Sequence, residues 1–215
     1  MARIPAPFRR RRRAPGHSDV ERVQEAYKAV QSLYRVWRNR RCQISWPDAP
    51  FPVTLTDLNA GTKDTFITAL GGVFEHSPWV AERAWEHRPF ASLDALHAAM
   101  VETLAGAAED AQLAVLRAHP DLGSRARMTE ASAGEQAGAG LDRLTPVEFE
   151  RLGRLNHDYR ERFGFPFLFA VKGATKHDIL AALERRLPAP RDEEFGEALR
   201  QVARIARFRL ETLLT

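Results

Sequence analysis

The residues from Ala118 to Val171 hold most of the groups with chemical reach: AHPDLGSRARMTEASAGEQAGAGLDRLTPVEFERLGRLNHDYRERFGFPFLFAV. His119 stands directly before Pro120. Proline fixes the chain and drives the preceding residue into an extended conformation, so a helix stopping there presents the imidazole at its exit. An imidazole held that way suits proton transfer near neutral pH. The plain alternative is a surface or helix-capping histidine.

Ser132-x-x-Glu135 has the spacing of a capping box, which alone would account for both residues. A helix start also offers free N–H groups that attract anions. There Ser132, Glu135 and Gln136 would surround a ligand with a hydroxyl, an acid and an amide. Arg209 is the sharpest anomaly. The last helix turns Phe195, Leu199, Val202, Ile205 or Ala206, and Leu213 inward, and position 209 continues that row. An inward arginine is costly unless it meets an anion, and its planar fork suits a carboxylate. A salt bridge to a core acid, or snorkelling to the surface, would also explain it. The run Phe163-Gly164-Phe165-Pro166-Phe167 is stiff and apolar; after it, Phe167 to Val171 would offer backbone groups in a dry wall, or simply pack. Glu75-His76-Ser77-Pro78 reads mainly as a helix N-terminus, with lining of a pocket as the lesser alternative.

These groups need helices to place them. Phe66, Ile67, Leu70, Val73 and Phe74 make one apolar stripe. Ser77-Pro78 and Ser92 have start signatures. A helix over 108–118 stops at His119. Ser132 opens a short helix running into Gly138 and Gly140. Thr145-Pro146-Val147-Glu148 is a full start signal, and that helix ends at Gly164. Another begins at Thr175 to Asp178 and ends at Leu187, before Pro188. The last spans about Asp192 to Leu214. No strand alternation persists. The pattern predicts an all-α, compact, single-domain fold of about seven to nine helices over 53–215. A basic extension over 1–52 precedes it, disordered to residue 18 and helical from Ser18 or Asp19. Trp46 to Pro52 is linker-like.

Of 215 residues, one is cysteine, Cys42, which excludes a disulfide framework and a cysteine-built zinc site. It tolerates a reducing compartment, and a cytoplasmic location is expected. The histidines lack metal-ligand spacing, so no metal is indicated. No apolar run spans a bilayer, and Arg9 to Arg13 lead into no secretory h-region. P-loop, GxGxxG, GxSxG and HExxH motifs are absent. The net charge of +4 is uneven: residues 1–50 hold twelve Arg and Lys against four Asp and Glu, while the rest is net acidic. A nucleic-acid reading of the whole chain would average over that difference.

Six ordered motifs resemble the OHCU decarboxylases, where OHCU is 2-oxo-4-hydroxy-4-carboxy-5-ureidoimidazoline. They are FEHSPWVAE at 74–82, HPDL at 119–122, TEAS-x-x-EQ-x-GAGLD at 129–142, LN-x-x-YR-x-RFGFPF at 155–167, AVKG at 170–173 and RIARFRL at 204–210. The resemblance implies a compact all-α homodimer that converts OHCU to (S)-allantoin in urate breakdown, with no metal or organic cofactor. It implies His119 as catalytic acid/base, with Glu135 and Arg209 as its partners. Pro120, Ser132, Ala133, Gly134, Glu135, Gln136, Phe167, Leu168, Phe169, Ala170 and Val171 become substrate-contacting. The first fifty-odd residues depart from the family pattern. They keep open a second reading, a helical binding module whose basic arm docks on nucleic acid or an anionic surface.

Overall fold

The computed structural model describes residues 53–124 and 129–214. The expected basic arm and its helix lie outside the described residues. Nine α-helices and two short 3₁₀ turns make up the regular structure of the described residues, with no strand among them. In order these are α1 (Leu55–Ala60), α2 (Lys63–Leu70), α3 (Pro78–Ala84), a 3₁₀ turn (Trp85–His87), α4 (Leu93–Ala105), α5 (Glu109–Ala118), α6 (Glu130–Gly138), a 3₁₀ turn (Leu141–Arg143), α7 (Pro146–Phe163), α8 (Lys176–Arg186) and α9 (Arg191–Leu213). The fold is all-α, as its sequence pattern predicts. No helix among the described residues is long and apolar enough to cross a membrane.

Capping chemistry sets most boundaries. Thr145 and Glu148 form a reciprocal capping box on α7, and Thr175 with Asp178 does so on α8. Ser92 accepts from the Ala95 N–H at the start of α4. Gly164 ends α7 in the left-handed region, φ 77°, which glycine enters without a Cβ clash. Two starts differ from expectation. Ser77 makes no side-chain cap on α3; its hydroxyl donates to the Glu75 carbonyl instead. Ser132 does not open α6 either. Thr129 is the N-cap and accepts from the Ser132 N–H, so Ser132 lies one turn inside with its side chain free to face inward. The Ser132–Glu135 capping box is therefore not formed.

One apolar core joins the helices. Phe66 and Leu70 of α2 meet Val80 and Ala84 of α3 and Leu96 and Met100 of α4; Leu116, Tyr159, Phe165, Phe167, Ile179, Leu183, Val202 and Leu210 continue it. Burying each such large side chain contributes about 1.5–3 kcal/mol. Leu213, read as inward from its register, is 42% exposed at the end of α9.

Much of the LN-x-x-YR-x-RFGFPF motif does structural work around the future site. Asn156 donates to the Leu122 carbonyl at 2.8 Å, and Arg160 pairs with Asp121 at 2.8 Å, so α7 grips the segment after His119. Tyr159 donates to Glu194, which also holds Arg186. Arg186 in turn donates to the Leu168 carbonyl at 2.8 Å, and its guanidinium lies over the Phe167 ring. This buried chain fastens the Phe167–Val171 segment from behind.

Candidate active site

The α5 helix ends at Ala118, and His119 adopts φ −77°, ψ 142°, the extended conformation that Pro120 requires. Its Nδ1–H donates back to the Val115 carbonyl at 2.9 Å. That bond fixes the tautomer and leaves Nε2 as the acceptor. Nε2 is buried with no hydrogen-bond partner among the described residues. Unpartnered buried acceptors are uncommon and costly, by about 1–3 kcal/mol. Burial pushes the His119 pKa below its ordinary value. The Val115 carbonyl and the Glu75 and Glu135 charges act against that, and Arg209 adds to it. The imidazole is thus held toward its neutral form.

Arg209, on the inward row of α9, is 7% exposed. Its guanidinium is fully engaged. Nε donates to Glu135 at 2.8 Å, and Nη2 donates to Glu135 at 3.0 Å and to Ser132 Oγ at 3.0 Å. Nη1 donates to Glu75 at 2.8 Å. Burial disfavours the charged form, but the two carboxylates more than offset it and hold the Arg209 pKa above its ordinary value. Glu75 also accepts from the Thr129 hydroxyl at 2.8 Å and the Ser132 hydroxyl at 2.9 Å. Burial raises its pKa; the Arg209 charge and those hydroxyls outweigh that and keep it ionised, below the ordinary carboxylate value.

These groups surround one hollow of about 30 Å³, lined by His119, Pro120, Ser132, Glu135, Gln136, Phe167, Leu168, Phe169, Val171, Ile205 and Arg209 among others. That is room for no more than about one or two waters. A groove of about 620 Å³ adjoins it and shares Glu135, Val171, Ile205 and Arg209. Three anticipated wall residues do not face the hollow. Ala133 lines a separate cavity with Leu141 and Phe149, and Gly134 lines the adjoining groove. The Ala170 amide donates to Gln201 at 2.9 Å. The carbonyls of Leu168 and Val171 also carry internal hydrogen bonds, so the wall offers less backbone than its sequence promised. Gln136 is placed at the hollow, and its Oε1 accepts from the Gly123 N–H at 2.8 Å. Gly123 makes that contact at φ 72°, where a side chain would be strained and its Cβ would come within 2.5 Å of Leu152 Cδ2.

Glu75 is the group sequence reasoning undervalued. Its segment reads as a helix start, yet the carboxylate is among the most buried polar groups, at 2% exposure. His76 at φ 49°, a sparsely populated region, turns the chain just after it. The available signal was Arg209 itself: an inward guanidinium requires a buried acid.

Comparison with known proteins agrees with this architecture. The family model for OHCU decarboxylase matches residues 59–211. A 2-oxo-4-hydroxy-4-carboxy-5-ureidoimidazoline decarboxylase of Halalkalicoccus jeotgali is 49% identical over 161 residues, covering 75% of this chain and 92% of that protein. One from Haloferax volcanii is 50% identical over 158 residues, 74% of this chain and 94% of the other. A crystal structure of (S)-allantoin synthase superposes with a TM-score of 0.61 at 36% identity, covering 75% of this chain and 54% of that one. The chain belongs to the OHCU decarboxylase family of carboxy-lyases.

Proposed function

We propose that the protein decarboxylates OHCU to (S)-allantoin in urate breakdown, and that the His119 hollow is where it does so. The observation that carries this reading is the unpartnered Nε2 of His119 opening on a hollow that Arg209, Glu135 and Ser132 also line. OHCU carries a carboxylate and a hydroxyl on C4, beside the C5=N bond. Breaking the C4–carboxylate bond releases CO2 and sends its electron pair into that C=N. The ring nitrogen that receives the pair takes up a proton; the resulting enol then gains a proton at C5 and loses the hydroxyl proton as the C4 carbonyl forms. The electron sink is in the substrate, so neither a metal nor an organic cofactor is required.

Each residue has a part in this. His119 Nε2 accepts the C4 hydroxyl proton, a task for a neutral imidazole. Arg209 receives the carboxylate of OHCU, and Glu135 and the Gln136 amide nitrogen orient the ureido and ring groups. Pro120, Phe167, Leu168, Phe169 and Val171 keep water out and present one face of the enol to protonation. Ser132 acts through its hydroxyl on Arg209, not as the helix start that its spacing suggested. The family resemblance supports a homodimer. A single cysteine, Cys42, is compatible with the reducing cytoplasm.

Chirality tests the reading. OHCU generated in the cuvette should decay faster with the protein than in buffer, and the allantoin should carry the optical activity of the S enantiomer. Decay at the buffer rate to optically inactive allantoin would refute the assignment.

A further inference from the structure

Two carboxylates share Arg209, and they are not equivalent. The Glu75 side chain is 1% exposed, whereas that of Glu135 is 27% exposed. Glu75 is tied on both oxygens: Oε1 accepts from the Thr129 hydroxyl, and Oε2 accepts from Ser132 and Arg209. Leaving those partners would strand a carboxylate in the core. Among the described residues the Glu135 carboxylate accepts from Arg209 alone, from Nε and Nη2, and it borders both the hollow and the adjoining groove. The guanidinium donors that point toward the hollow are occupied, and the hollow has room for about one or two waters. An anionic substrate therefore reaches Arg209 only if one carboxylate yields, and only Glu135 can yield without a buried penalty.

Resting on the decarboxylase reading above, we propose that Glu75 is a positioning residue of this site, the permanent counter-ion that keeps Arg209 and Ser132 in place while Glu135 exchanges Arg209 for the substrate. In that state Arg209 keeps Nη1 on Glu75 and turns Nε and Nη2 to the incoming carboxylate. Arg209 is always matched by Glu75; its second anionic partner is Glu135 at rest and the substrate when bound, with the displaced Glu135 at the adjoining groove. Thr129 joins the arrangement from the other side, because the hydroxyl that caps α6 also donates to Glu75. The helix carrying Ser132, Glu135 and Gln136 is thereby docked on the same carboxylate that holds Arg209.

Two substitutions separate charge from reach. Glu75→Gln keeps the length and removes the charge; Glu75→Asp keeps the charge and withdraws it by one methylene. Both should lower kcat/KM by about 10²-fold, the scale of a misplaced binding group. The His119 imidazole, followed by NMR in the unliganded protein, adds a readout that mere structural support would not move. The charged groups facing it are Glu75, Glu135 and Arg209. Loss of the Glu75 charge should move its titration to lower pH, while Glu75→Asp should leave it near the wild-type position. Wild-type turnover in either folded variant, or an unmoved His119 titration in folded Glu75→Gln, overturns the proposal. If the glutamine variant does not fold, the aspartate variant decides by turnover. If the wild-type protein fails to decarboxylate OHCU, the functional reading falls, while the titration still reports whether Glu75 governs the site.

Discussion

Replacing His119 with asparagine should lower kcat/KM by about 10²–10⁴-fold, the range of a positioned proton-transfer group. Stability should hardly change. The asparagine amide can still donate toward the Val115 carbonyl, which His119 Nδ1 now satisfies at 2.9 Å. What is lost is Nε2, which has no partner among the described residues. Removing a buried acceptor that stabilises nothing relieves the fold more than it harms it. A denaturation midpoint at or above that of the wild type, together with the rate loss, would identify a residue kept for chemistry. If the substitution chiefly unfolds the chain, His119 is a helix cap and nothing more.

The same residue sets the acid limb of the pH profile. Burial depresses its pKa, so the neutral base persists below the ordinary histidine value near 6.5. The fall in wild-type kcat/KM should therefore come at lower pH than a solvent-exposed histidine would give. Stability follows the opposite side of the linkage. The unfolded chain takes up a proton near pH 6.5 that the folded imidazole refuses, so this contribution falls as pH drops below that value and is constant above it. In His119→Asn that part of the pH dependence should vanish.

Arg209→Ala should damage the fold as well as the rate. It strands Glu75, whose side chain is 1% exposed, and breaking a buried pair from one side costs about 3–5 kcal/mol. Urea unfolding at neutral pH would read this as a lower midpoint. The pH trend gives a second signature. In the wild type the folded Glu75 pKa is depressed, so its contribution is present above the unfolded carboxyl pKa and is lost as pH falls through the folded one. In Arg209→Ala burial acts on Glu75 without the guanidinium, so its folded pKa rises. The stability deficit should then shrink as pH falls and the carboxyl accepts a proton. Arg209→Lys keeps the charge but not the fork; it should fold better than the alanine variant and remain impaired in turnover. Equal midpoints for wild type and Arg209→Ala would show that the cluster holds nothing together.

Much of this was legible in the sequence because local chemistry decides it. Thr145-Pro146-Val147-Glu148 and Gly164 fix α7 at both ends, and both match the structure. His119 before Pro120 gave its own backbone conformation. Arg209 stood out because one long amphipathic helix makes an inward charge visible. Ser132 was misread for a definable reason: Thr129 and Ser132 are both capping residues three apart, and either could open α6. Choosing Thr129 turns Ser132 toward Glu75 and Arg209. Glu75 escaped because its partner lies 134 residues away, and pairing over that distance leaves no periodic trace. The small size of the hollow was likewise invisible, since it depends on how Phe167, Phe169 and Ile205 from two segments close over His119.

The most direct measurement is a crystal structure of the protein soaked with (S)-allantoin. The account predicts the ligand over His119 within hydrogen-bonding reach of Nε2, with Glu75 still on Arg209. Allantoin bound elsewhere on the protein, with Nε2 unvisited, would contradict it.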